Sequence, residues 1–272
     1  MGTVKNSNKD RAYELDLLRG IALVMMMCMH FSYDVRYEFG CDAFSYLESD
    51  WYWVFVHPLN LVLFVGVSGI CCSFSRNNLK RGARLLAVAL AFTVGTTGIT
   101  YLTYWLSDKY SFVPAIYCVI LFNVLHMLSV STLFYALLEY LFNKMKLNDK
   151  AQAMILGLLG AYITVLIMRL HYLDGTSSNW LLIPFGIEVE GAPSVVDYMN
   201  LIPWSGVFLI GAAVGKICYK EKRSLFPKPN DTLCKIKAPV EFLGRHSLIV
   251  YLVHQPIGYG ILYLFLLLIG KL

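Results

Sequence analysis

Three histidines sit inside apolar stretches of this chain, and one of them has charged company at a telling spacing. His30 follows Arg19 by eleven residues and precedes Asp34 by four, with Asp16 three residues before Arg19. On a helix, eleven residues return to within about 20° of the starting face, and the rise of 1.5 Å per residue separates Arg19 from His30 by roughly 16 Å. Asp16, Arg19, His30 and Asp34 therefore form one polar stripe running the length of a single helix. Ionisable groups at bilayer depth cost several kcal/mol, so such a stripe points to function. Arg19 is placed to meet an anionic group at one end. At the other end, Asp34 can orient the His30 imidazole and raise its basicity, the arrangement of a general base. The plainer reading is an interfacial Asp16–Arg19 pair and a packed, hydrogen-bonded histidine.

Further candidates lie along the chain. His57 opens the segment His57-Pro58-Leu59-Asn60, where a solvated interfacial histidine is cheap. Arg81 and Arg84 stand three apart and share a helix face suited to bidentate phosphate binding, although positive anchoring at a membrane edge also explains them. Asn123, His126 and Ser129 recur at i, i+3 and i+6, and such a stripe faces a bundle interior. Tyr251 and His254 share a face beside Gln255 and Pro256, and the proline permits a kink there. Asn123 or Tyr251 could stabilise an oxyanion. Lone histidines in helices are more often interhelical hydrogen-bonding residues than catalysts, but three on separate helices favour a common polar cavity. Gly66, Ser68 and Gly69, like Gly206, Gly211 and Gly215, read as close helix contacts. The seven cysteines contain no C-x-x-C pair. Together with the scattered histidines they offer no metal pattern, so no metal is expected.

The elements that must carry these residues are membrane spans. The chain has 272 residues, of which 57% are hydrophobic and 15% charged, against about 45–50% and about 25% in soluble proteins. The apolar residues fall in blocks of bilayer length, which excludes a soluble protein, and alternating ten-residue segments are missing, which excludes a transmembrane β-barrel. The pattern predicts an all-α polytopic bundle of about seven spans: Leu15–Tyr33, Val54–Phe74, Leu85–Leu106, Pro114–Phe142, Ala151–Leu170, Met199–Tyr219 and His246–Ile269. All but Arg36, Lys109, Arg169 and Lys271 of the 23 Lys and Arg fall on one side of these spans. The N-terminus is therefore expected in the cytoplasm and the C-terminus outside. The net charge of +5 is this asymmetry and implies no nucleic-acid partner. A single domain over 1–272 is expected, with a cytoplasmic tail (1–14), an outer loop (171–198) and a cytoplasmic loop (220–245). The tail has no small-residue cleavage site, so no removed signal peptide is expected. The outer loop carries Trp180, Glu188 and Glu190 and suits either a lid over a polar substrate or an ordinary connector. No internal repeat of the kind common in transporters is visible. The small-residue helix faces permit a homodimer.

At these residues the chain resembles a known group. Glu14 through Ala22, on to His30, resembles the first helix of the transmembrane acyltransferases, whose mark is an Arg, ten residues and a His. Arg81-Gly82-Ala83-Arg84 resembles the R-x-x-R element of integral-membrane acyltransferases acting on bacterial surface polysaccharides. The remainder is closer to the heparan-α-glucosaminide N-acetyltransferase catalytic-domain family, especially its short bacterial members. That likeness rests on His30 to Asp34, Phe64 to Gly69, Leu125-His126, Asp197-Tyr198 to Pro203-Trp204, Gly244 to Ser247, Tyr251 and His254-Gln255-Pro256.

The resemblance implies a bacterial cytoplasmic-membrane enzyme. Such an enzyme moves an acyl group, usually acetyl, from cytoplasmic acetyl-CoA to an amine or hydroxyl of a carbohydrate or glycoconjugate beyond the membrane. By that likeness His30 is the catalytic histidine, with Arg19, Arg81 and Arg84 serving the acyl-CoA, and Arg245 lies on the same inner side where its phosphates need cations. Lysosomal members carry their active histidine in the loop after this helix, where His57 is the available counterpart. His30 is preferred for its carboxylate neighbour Asp34. Direct transfer and an acyl-histidine intermediate are both open. On the residues alone, a proton-coupled transporter or flippase of a polar solute remains the alternative, and histidine-ligated haem a remoter one.

Overall fold

The computed structural model describes residues 12–110, 115–170, 176–192, 197–227 and 231–270. Lys5, Lys9, Arg11, Pro114, His171, Pro193, Lys228 and Lys271 lie outside the described residues, as does the Arg169 side chain. Among the described residues eight α-helices follow one another: α1 (Tyr13–Tyr33), α2 (His57–Ile70), α3 (Asn78–Lys109), α4 (Val124–Lys144), α5 (Asp149–Leu170), α6 (Trp204–Cys218), α7 (Asp231–Arg245) and α8 (Ser247–Leu268). Among the described residues the only strands are Thr176–Ser177 and Glu188–Val189, paired in parallel. Among the described residues six helical segments are long and apolar enough to cross a membrane, and α6 is a shorter apolar helix. The protein is thus an all-α, polytopic integral membrane protein.

Packing divides the chain into two compact units, Met1–Val67 with Tyr219–Leu272, and Ser68–Cys218. In the first unit α1 packs against α7 and α8. The contact with α7 is close because glycines face it. A Cβ on Gly20 would collide with the Val240 carbonyl, and one on Gly244 with the Asp16 carbonyl. One π-turn, Asp34–Glu38, prolongs α1, and another, Tyr52–Val56, leads into α2. Val35 of the first turn packs with Leu262 and Leu266 of α8.

In the second unit α3 pairs with α4 and α5 with α6. Glycine again sets the distance. A Cβ on Gly206 would meet Thr164 and the Gly160 carbonyl, and one on Gly69 would meet the Phe208 carbonyl. Residues 176–192 and 197–201 fold against one another. Leu201 N–H donates to Pro184 O at 2.6 Å, and the Tyr198 hydroxyl donates to Ile183 O at 2.6 Å. Burial pushes the Tyr198 phenol up to about 12.

Two expectations need correction. The fourth span begins at Val124, well after Pro114, because Asn123 caps it. The Asn123 Oδ1 accepts from Leu125 N–H at 3.1 Å. The apolar run before it, which reads as helix, is irregular. Its backbone is answered by α3 instead: Ile116 N–H and Cys118 N–H donate to the hydroxyls of Thr103 (3.1 Å) and Thr100 (3.0 Å). Irregular backbone at this depth requires such partners. The second correction is α7, which lies within the stretch 220–245 read as loop. Its sequence is too charged to announce a buried helix, and contact with α1 supplies what its own pattern does not.

These contacts separate the glycines into two classes. Gly20→Ala should destabilise the protein by about 1–3 kcal/mol, the cost of overpacking. Gly95, beside which nothing lies within 4 Å, should accept Ala with a gain of about 0.5–1 kcal/mol. Thermal unfolding of both variants in detergent checks the contrast.

Candidate active site

A regular α1 is what gives the Arg19–His30 spacing its meaning. The helix is unbroken from Tyr13 to Tyr33, so the two side chains share a face, about 16 Å apart along the axis. His30 meets α8 directly. Its Nδ1 lies 3.1 Å from Gln255 Oε1, and its ring stands edge-on to His254 with centroids 5.2 Å apart. Because the carboxamide oxygen only accepts, His30 Nδ1 is the donor in this hydrogen bond.

The neighbours of this pair are polar and aromatic. His254 Nδ1–H donates to the Tyr251 carbonyl at 2.7 Å, and the Tyr251 ring, itself buried, lies 5.7 Å from the His254 ring. His57 at the start of α2 interacts electrostatically with His30 and stacks near Trp53, 5.1 Å between centroids. Asn60, also buried, donates to Met29 Sδ at 3.5 Å. Ser32 accepts from the Tyr46 hydroxyl at 2.7 Å. Helices α1, α2 and α8 therefore bring His30, His57, His254 and Gln255 together in the outer half of the first unit. A base with a fixed tautomer, flanked by further imidazoles, can take a proton from an amine or hydroxyl.

Asp34 is buried one turn beyond His30 and interacts with it electrostatically. The expected orienting partner of the imidazole is Asp34; in the structure His30 Nδ1 donates to Gln255 Oε1 instead. Gln255 was visible in the sequence as the neighbour of His254, but nothing in its spacing showed that it would reach α1.

At the other end of α1 the charges are already matched. Arg245 reaches Asp16 at 3.5 Å and Glu241 at 3.4 Å, and Lys237 pairs with Glu241 at 2.6 Å. Glu14 accepts from Ser224 Oγ at 2.7 Å and from Leu225 N–H at 2.9 Å. Arg19 is half-buried beside this network. Asp16 is thus an ion-pair partner of α7 at the inner end, away from His30.

The remaining candidates belong to the second unit. Arg81 is half-buried, with its guanidinium against Cys72 Sγ (3.5 Å) and the Ser68 carbonyl (3.3 Å); Arg84 is exposed. His126 is held in place by its helix. Its Nδ1 pairs with Asn123 Oδ1 at 2.9 Å and its Nε2 with Thr93 Oγ1 at 3.2 Å. Asn123 and His126 form a capping box at the start of α4, which places them at the helix end. Among the described residues no group of three His, Cys, Asp or Glu is arranged around a metal position.

Residues 11–256 match the family model described as heparan-alpha-glucosaminide N-acetyltransferase, catalytic. The match runs through both packing units. No curated protein and no solved structure matches the chain.

Loss of the capping box gives a direct check on the role of His126. His126→Ala should cost about 0.5–2 kcal/mol of stability, and His126→Gln, which can rebuild one of the two hydrogen bonds, should cost less. Chemical denaturation monitored at the tryptophans distinguishes the two.

Proposed function

This chain belongs to the heparan-α-glucosaminide N-acetyltransferase catalytic family, and from that membership we propose that it carries an acetyl group from cytoplasmic acetyl-CoA to an amine or hydroxyl of a carbohydrate acceptor on the outer face of a bacterial cytoplasmic membrane. The observation that supports this most is the His30–Gln255 hydrogen bond. It fixes the orientation of an imidazole near the outer end of a spanning helix, and the stripe below it descends to Arg19 at the inner end.

The roles follow from the placement. Cations at the inner side meet the anionic part of CoA, and the extended pantetheine arm carries the thioester toward His30. Arg19, Arg84 and, by exchange from its ion pairs with Asp16 and Glu241, Arg245 are the available cations. Arg81 serves this end more by holding α3 to the end of α2 than by presenting a free charge. His30 Nε2 accepts the proton of the acceptor N–H or O–H as the acceptor's lone pair attacks the thioester carbonyl. The tetrahedral intermediate expels CoA thiolate, which recovers a proton, and the product is an amide or ester. Attack by Nε2 itself, forming acyl-histidine, is the second route with the same residues. Gln255 orients the imidazole, and the His254 and His57 rings beside it extend the polar surface that an acceptor sugar would contact.

Acetyl-CoA should raise the unfolding temperature of the purified protein, and an unrelated nucleotide should not. No acyl-CoA-dependent shift would remove the class assignment. His30→Ala should lower turnover by about 10²–10⁴-fold, the usual worth of a general base, while acetyl-CoA binding persists. Normal turnover in that variant would leave His57 as the candidate. Gln255→Leu should cost about tenfold in kcat with little change in KM, matching the loss of one orienting hydrogen bond of about 1–1.5 kcal/mol. Arg84→Ala should instead raise KM for acetyl-CoA, read from steady-state kinetics.

A further inference from the structure

Helix α7 is inside out by the standards of a soluble protein. Its buried face is charged: Lys237 and Glu241, both buried, pair at 2.6 Å, and the Lys237 ammonium lies 3.5 Å over the Tyr13 ring of α1. Arg245 reaches Asp16 of the same helix. Its outward face is apolar, with Ile236 69% and Phe242 59% exposed. A turn before it repeats the arrangement. Glu14 holds Ser224 and Leu225, and Tyr13 donates to Pro227 O at 3.0 Å, which leaves Leu225 51% and Phe226 60% exposed.

One exposed apolar side chain is ordinary. Four on two segments pinned to the same end of one spanning helix are not, and the depth of that end says what covers them. Val240 and Gly244 pack against Gly20 and Asp16. Gly20 lies seven residues into α1, about 10 Å along its axis, so α7 lies at the level of the inner interface. Between Tyr219 and Ile236 the chain has five basic residues against two acidic. Of these, Lys220, Lys222 and Lys235 are exposed, while Arg223 contacts Glu221. Apolar side chains flanked by lysines at this depth match the surface of a bilayer that carries negative charge.

We propose that residues 220–227 and 234–245 form a lipid-binding surface, independent of the reaction above. Leu225, Phe226, Ile236 and Phe242 insert among the acyl chains of the inner leaflet, and the neighbouring lysines bind anionic phospholipid headgroups. Because the opposite face of α7 is tied to α1 through Lys237, Glu241 and Arg245, this surface steadies the inner end of the helix that carries Arg19 and His30.

The test uses the full chain in nanodiscs of phosphatidylcholine doped with a photoreactive-acyl phospholipid, bearing either a glycerol (anionic) or a choline (zwitterionic) headgroup. After illumination, adducts are mapped by mass spectrometry, with the exposed residues Val94 of α3 and Leu268 of α8 as positive controls. Adducts at Ile236 and Phe242, enriched on the order of tenfold for the anionic probe, support the proposal. So does loss of that enrichment, with the adducts retained, in Lys220→Gln/Lys222→Gln/Lys235→Gln. Labelling of the controls without Ile236 or Phe242 overturns it, as does equal labelling by both headgroups. None of these readings depends on acyl transfer.

Discussion

A bilayer core holds no water, so a polar side chain on a spanning helix must be answered by another part of the protein or cost several kcal/mol. The helix contacts around the functional residues obey this constraint. His30 of α1 is answered by Gln255 of α8. His126 of α4 is answered by Thr93 of α3. Asn78, buried at the start of α3, is answered by Glu139 of α4 at 3.0 Å. Each bond chooses one partner helix and one register, which apolar packing against lipid-like surfaces would leave loosely specified.

The same constraint sorts candidate residues by role. His126 has both ring nitrogens engaged within its own unit and completes a cap; that is the work of a structural histidine. His30 instead bonds through Nδ1 to an acceptor on a different helix, which is the orientation the proposed base requires. The difference is one of hydrogen-bond partners, since both residues occupy apolar stretches and both are only slightly accessible or half-buried. It also explains why glycine is placed where it is. Where α1 meets α7 and where α5 meets α6, a Cβ would occupy the space of a facing carbonyl, and close approach is what lets short polar side chains meet across helices.

The inner end of α1 shows how charge is carried to the membrane edge. Glu14, Asp16, Lys237, Glu241 and Arg245 form a network in which carboxylates on one helix meet cations on another. A free cation there would attract phosphate, and a matched one must give up a partner to do so. The chain belongs to a family of membrane acetyltransferases, and any anion approaching Arg245 would have to compete with these carboxylates.

The amino-acid sequence alone determined that the protein is helical and crosses a membrane, because unbroken apolar blocks of bilayer length admit little else. It also revealed the Arg19–His30 stripe, since both residues lie within one regular helix whose pitch is known in advance. It misplaced the start of α4, where an apolar run looks helical but an Asn cap and two threonines of α3 hold it irregular. It passed over α7, whose charge density conceals a helix that exists by virtue of its contact with α1. Only tertiary structure decided that Gln255 rather than Asp34 holds the His30 ring, and that Asp16 faces Arg245. Those pairings join residues more than two hundred positions apart, and local periodicity carries no information about which distant helix will lie alongside.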